Sequence, residues 1–146
     1  MSKKLYLVAS LAFIILLGLV VYNPKSQSVL HLNSRDIFLI VRDTAESRVK
    51  GLSGRDSLAD DTAMIFVFDK PEAYAFWMKD MKFPIDIIWL DGKFTIVDIR
   101  ANISPSTYPE KFVPMSESVY VLETNANFAE KNSLKIGDTL SISLIK

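Results

Sequence analysis

The sequence predicts a mainly β domain of the α+β class. The expected architecture is a mostly antiparallel curled sheet or small open barrel of about seven strands with two short helices, preceded by one N-terminal transmembrane helix. Three observations predict it. Short apolar or alternating runs recur along the 146-residue chain, divided by Gly, Pro, Asn and Asp. Two of them, IDIIWL and KFTIVDIR, flank an Asp91-Gly92 pair, a strong hairpin signal. And a stretch without charge, Leu5 to Tyr22, stands behind Lys3 and Lys4 at the N-terminus.

That N-terminal stretch, residues 1–22, comes first. As a helix it would span roughly 27 Å, close to one hydrocarbon core. The two lysines place the N-terminus inside and the remainder outside the membrane. The alternative is a cleaved secretory signal and a secreted domain. The run closes with GLVVYNPKSQS and offers no clean small-x-small cleavage site, which favours an uncleaved anchor. Residues 23–34, rich in Ser with one Pro, read as a tether, and residues 35–146 as the domain.

Composition excludes several chemistries. The chain has no Cys, which removes disulfides, thiolate nucleophiles and a lipid-modified Cys anchor. The one His, His31, falls in the tether, so the domain has no imidazole for a Ser-His-Asp constellation. Residues 23–146 carry 15 basic and 17 acidic side chains, a net charge of −2 with no basic stripe, which gives nucleic-acid binding no electrostatic support. No calcium-loop spacing is present, and neither a metal nor a cofactor is expected.

Within the domain, DIFLIVRD (36–43) reads as a strand. Asp43, with Glu46 three residues on, reads as a capping box opening a helix. Ala45, Val49 and Leu52 give it an apolar stripe, and Gly54 ends it. MIFVF (64–68) and YAFWM (74–78) read as a hairpin across Lys70-Pro71. Pro84 allows a strand start, Ile85–Leu90 follows, and residues 93–100 return after the Asp91-Gly92 turn. Residues 101–118 form a long loop with three Pro, either a functional loop or a solvated crossover. VYVLE (119–123) is a strand. A short helix capped near Asn125 or Asn127 holds FAEKNSL. TLSISLI (139–145) alternates as a half-buried strand.

Asp86 poses the chemical question, since it sits between Ile85 and Ile87. A lone buried carboxylate must be paired or neutralised. Lys79, Arg55 and, more weakly, Lys82 are the candidate cations, and the backbone N–H groups of the 79–83 turn are the alternative. Two roles follow. Asp86 either ties down the preceding turn as framework, or lines a pocket with Trp77, Lys79 and Glu123. Glu123 ends an apolar strand much as Asp86 begins one. Trp offers a stacking face and Lys a donor.

The blocks GLSGR (51–55), MIFVF (64–68), FWMKDMKFPIDIIWLD (76–91), YVLE (120–123) and IGD (136–138), in this order and spacing, resemble the DUF192 family, also called UPF0127. The resemblance runs from about Ile37 to Leu144. It implies a small, mainly β domain, often exported or membrane-tethered in prokaryotes, and no particular activity. The equivalent positions are Gly51, Arg55, Met64, Phe66, Trp77, Met78, Lys79, Pro84, Asp86, Leu122, Glu123 and Gly137. Asp80 stands where Asn is usual, and Ala63 and Asn127 where Gly is common.

The expected function is a membrane-tethered, extracytoplasmic binding or accessory module, with Arg55, Trp77, Lys79, Asp86 and Glu123 as pocket residues. Its partner would be a small molecule, a glycan or a protein. One alternative is a glycan or peptide hydrolase using Asp86 and Glu123 as an acid–base pair, since glycoside hydrolysis runs on two carboxylates without His or Cys. Another is a structural partner of an envelope protein, docking through the 101–118 loop with Tyr108 and Phe112 as anchors.

Overall fold

The computed structural model describes residues 27–145. The expected anchor, residues 1–22, lies outside the described residues. No helix among the described residues is long and apolar enough to cross a membrane.

Seven strands form one mixed sheet: β1 (Val29–Leu32), β2 (Arg35–Arg42), β3 (Thr62–Glu72), β4 (Ile85–Leu90), β5 (Ile96–Ile103), β6 (Ser118–Asn125) and β7 (Ser141–Ser143). Their order is β5-β4-β6-β3-β2-β1-β7. β2 and β3 are parallel; every other pairing is antiparallel. The parallel pair follows from its crossover connection, which carries helix α1 (Ala45–Lys50). A second short helix, α2 (Phe128–Lys131), follows β6. The sheet is not closed. Its edge strands β5 and β7 are tied at one end, where Ile96 N–H donates to Asp138 O (2.8 Å) and Leu140 N–H to Phe94 O (3.0 Å).

The alternation of side chains across a strand gives this sheet two apolar faces. One packs Ile37, Leu39, Ile65, Ile88, Leu90 and Leu122 beneath α2, whose Phe128 and Ala129 are buried there. The other packs Met64, Phe66, Ile85, Ile87, Trp89 and Val121 beneath Leu52 and Met78. β4 is buried along its whole length because it is covered on both faces.

Several expectations change. The tether ends earlier than Ser34: Leu30 and Leu32 are buried in β1, which pairs with both β2 and β7. The 64–68/74–78 hairpin does not form. β3 is a central strand with β2 on one side and β6 on the other, so it has no free edge for it. It runs on through Pro71, and residues 74–78 lie over the second face. There Phe76 makes one antiparallel bridge to Phe112, with N–H···O distances of 2.9 and 2.8 Å.

Helix α1 is capped by Thr44 and Ser47, each hydroxyl accepting the other's N–H, not by Asp43 and Glu46. It stops at Gly51, whose φ of +48° breaks the helical path before Gly54 is reached. Leu52 of the expected stripe is buried, but Val49 is 85% exposed. The turn after β4 is longer than two residues. Asp91 Oδ1 accepts the N–H groups of Lys93 and Thr95 at 2.8 Å, and Phe94, not Gly92, takes the left-handed conformation.

Candidate functional site

The two carboxylates singled out in the sequence face opposite sides of the sheet. In the β4–β6 pairing Glu123 lies across from Ile87 and Asp86 across from Thr124. Cross-strand partners share a face. Glu123 therefore stands with Ile87, Met64 and Val121 on the second face, and Asp86 with Ile88 and Leu90 on the first.

Asp86 is fully buried and completely occupied by backbone. Its Oδ1 accepts the N–H of Asn102 at 2.7 Å and of Asn127 at 3.0 Å, and its Oδ2 accepts the N–H of Ala129 at 2.9 Å. The Asn127 side chain makes no cap for α2; Asp86, 43 residues earlier in sequence, satisfies the orphan donors there. Among the described residues, neither a cation nor the 79–83 turn pairs with it. Asp98, also buried, works similarly, accepting the N–H of Ile99 and Met115 and one guanidinium N–H of Arg100, so the 104–117 loop is pinned to β5.

Glu123 has the opposite environment. It is 5% exposed, and its Oε2 has no hydrogen-bond partner among the described residues. Burial pushes its carboxyl up to about 8, with the Arg42 guanidinium offsetting only part of that cost. Arg42 Nε is itself buried without a partner among the described residues.

Glu123 lines a cavity of about 230 Å³ between α1 with its following turn, β3 and the 74–81 segment. Phe66, Phe68, Tyr74, Phe76 and Trp77 supply aromatic wall. Phe66 and Phe76 meet edge to face at 4.9 Å, and Phe68 stacks on Tyr74 at 3.5 Å between centroids. Arg48 lies over the Phe68 ring at 5.1 Å and donates to the carbonyls of Asp43 and Val67. A Cβ at Gly51 would stand 3.3 Å from Phe66 and 3.7 Å from Glu123 Oε2. Glycine thus lets the chain turn into the site and close over the carboxyl.

Of the five expected pocket residues, the cavity gathers Trp77 and Glu123. Trp77 is 46% exposed, with Lys111 over its ring at 5.3 Å. Asp86 is on the other face. Arg55 and Lys79 are exposed and do not line the cavity; Lys79 contributes its carbonyl to Ser53 Oγ–H. An acid–base pair must flank one bond, and carboxylates on opposite faces of a sheet do not. Phe112 is bound to Phe76 by backbone and half-buried, which removes it as a free anchor, while Tyr108 is exposed. Asp80 has φ of 56° and its carbonyl accepts the Gly54 N–H, so it serves the turn through backbone; Asn127, at φ 65°, is also left-handed.

The sequence reading missed Gly51, Phe66, Phe68, Tyr74 and Arg48 as cavity residues. The available signal was the glycine directly after α1, three residues before the stop expected at Gly54.

No curated protein matches the chain. A Sinorhizobium meliloti crystal structure, provisionally described as a transcription regulator, superposes with a TM-score of 0.73 at 25% identity, covering 80% of this chain and 92% of that one. A Novosphingobium aromaticivorans protein of unknown function superposes with a TM-score of 0.69 at 28% identity, covering 82% and 89%. The DUF192 family model, described as an uncharacterized ACR, matches residues 29–142, and the chain accordingly belongs to the DUF192 family.

Proposed function

We propose that the domain is a small-ligand-binding module, held outside the membrane by its N-terminal apolar segment, with the aromatic cavity over Glu123 as its site. One observation carries the reading. A buried carboxyl oxygen without a partner costs free energy, about 1–3 kcal/mol for an unsatisfied buried polar group, while the other buried acids are fully bonded. A bound ligand that draws the carboxyl toward the cavity and supplies the missing hydrogen bond would recover that cost. Concave shape, aromatic walls and a single deep polar group match the usual build of ligand sites. At about 230 Å³ the cavity is smaller than drug-sized pockets, so its ligand is of single-ring or monosaccharide size. Net charge −2 over residues 23–146 gives this chain no footprint for nucleic acid, whatever the role of the Sinorhizobium relative.

The test is a fragment screen by thermal shift on the full-length protein, repeated on Ala75→Phe. Ala75 is exposed and lines the cavity, so a phenyl ring there fills it without disturbing the core. Ligands that raise the Tm of the native protein and fail on Ala75→Phe support the reading. An empty screen, or hits indifferent to Ala75→Phe, would remove it.

A further inference from the structure

We infer that the cavity takes an uncharged, flat ligand that presents an amide-like edge, a hydrogen-bond donor beside an acceptor, to the carboxyl of Glu123. The inference rests on the binding reading above and specifies its chemistry.

The charged and titratable groups around Glu123 decide against the other ligand classes. Arg42 acts on it from β2. Arg48 and Lys50 line the cavity from α1, and Tyr74 lines it from the segment above. No second acid does. An ammonium ligand would enter among three cations and require Glu123 to ionise where burial opposes it. An anion would meet the negative faces of the aromatic walls. Arg48 already gives its Nη1 donors to two carbonyls and lies over the Phe68 ring.

A neutral ligand avoids both penalties. With its carboxyl held up to about 8, Glu123 is protonated at neutral pH. A protonated carboxyl carries one O–H donor and one carbonyl acceptor side by side. Its complement is a group with N–H and C=O on one edge, as in a primary amide or lactam, which forms two hydrogen bonds at once. The rings of Phe66, Phe76 and Trp77 in the cavity wall suit a planar body.

Three probes of one shape separate the classes: benzamide, benzylamine and benzoate, titrated into the full-length protein by calorimetry. Benzamide is expected to bind at least about ten-fold more tightly than the other two at neutral pH. Its affinity is expected to fall about ten-fold per pH unit as pH rises through about 8, because it binds the protonated form. Glu123→Gln, which fixes a neutral donor and acceptor in place, should retain benzamide and lose the pH dependence. Glu123→Leu should lose benzamide. Benzylamine binding best, with affinity rising through about 8 and lost in Glu123→Gln, would overturn the inference in favour of a cation site. Benzoate binding best would overturn it in favour of an anion site. If no probe binds while the fragment screen yields hits blocked by Ala75→Phe, the amide chemistry falls and the binding reading stands. If that screen is also empty, both fall.

Discussion

The two faces of the sheet solve the same problem in opposite ways. On the first, Asp86 is surrounded by three backbone N–H groups drawn from β5, the turn after β6 and α2. On the second, Glu123 is nearly as deeply buried and its Oε2 has no partner among the described residues. The two side chains are neighbours in the β4–β6 ladder, yet one holds the fold and the other faces a cavity. Burial of an acid therefore does not mark a site by itself. What separates framework from candidate function here is whether the surrounding chain completes its hydrogen bonds.

The contrast is broken most severely at Asp86. Asp86→Ala strips three N–H groups, one buried and two part-buried, of their acceptor; at about 1–3 kcal/mol for the buried one and about 0.5–1.5 kcal/mol for each of the others, the expected loss is on the order of 2–6 kcal/mol. Chemical denaturation measures it. A loss below about 1 kcal/mol would show that the three bonds carry little of the fold.

The next effect is on the second face and depends on pH. Glu123 has its carboxyl raised from 4.5 to about 8 in the folded chain. Between those values the native state keeps a proton that the unfolded state has lost. Stability is then fullest below 4.5 and declines by roughly 1.4 kcal/mol per pH unit as pH rises toward about 8. Denaturation midpoints across this window should show that decline in the native protein and its removal in Glu123→Gln. Equal slopes in both would place the pH dependence elsewhere.

A smaller loss is expected where the chain passes beside Glu123. Gly51→Ala adds a Cβ at 3.3 Å from Phe66 in a backbone conformation with φ of +48°. The expected penalty is about 1–3 kcal/mol, seen as a lower Tm. An unchanged Tm would mean that the turn adjusts freely. At the bottom of the scale is Val49, 85% exposed at the rim of the cavity. Val49→Ser should shift stability by less than about 0.5 kcal/mol. A larger loss would reveal packing on that helix face.

Much of the frame was legible from local pattern. Ile85–Leu90 reads as a strand from its apolar run and the Pro before it, and the Leu140, Ile142, Leu144 alternation correctly places one wet and one dry face. The hairpin assigned to 64–68 and 74–78 failed for a non-local reason, because both edges of β3 are claimed by strands distant in sequence, β2 and β6. The site divided along the same line. Trp77 was legible as an aromatic stacking face and Glu123 as an acid closing an apolar run, although β6 continues two residues past it to Asn125. That Asp86 and Glu123 face apart depends on the β4–β6 register, which pairs Ile87 with Glu123. A one-residue slip would have brought them to one face, and no local feature of either strand fixes that register. Asp86's donors, 16 to 43 residues away in sequence, were equally out of reach.

The most direct single measurement is the carboxyl ¹³C chemical shift of Glu123, followed by NMR from acid to alkaline pH in the ligand-free protein. A midpoint at about 8 is expected of a buried carboxyl that the chain leaves unsatisfied. A midpoint near 4.5, the ordinary value, would mean that Glu123 is solvated or paired, and would contradict the division between the two faces.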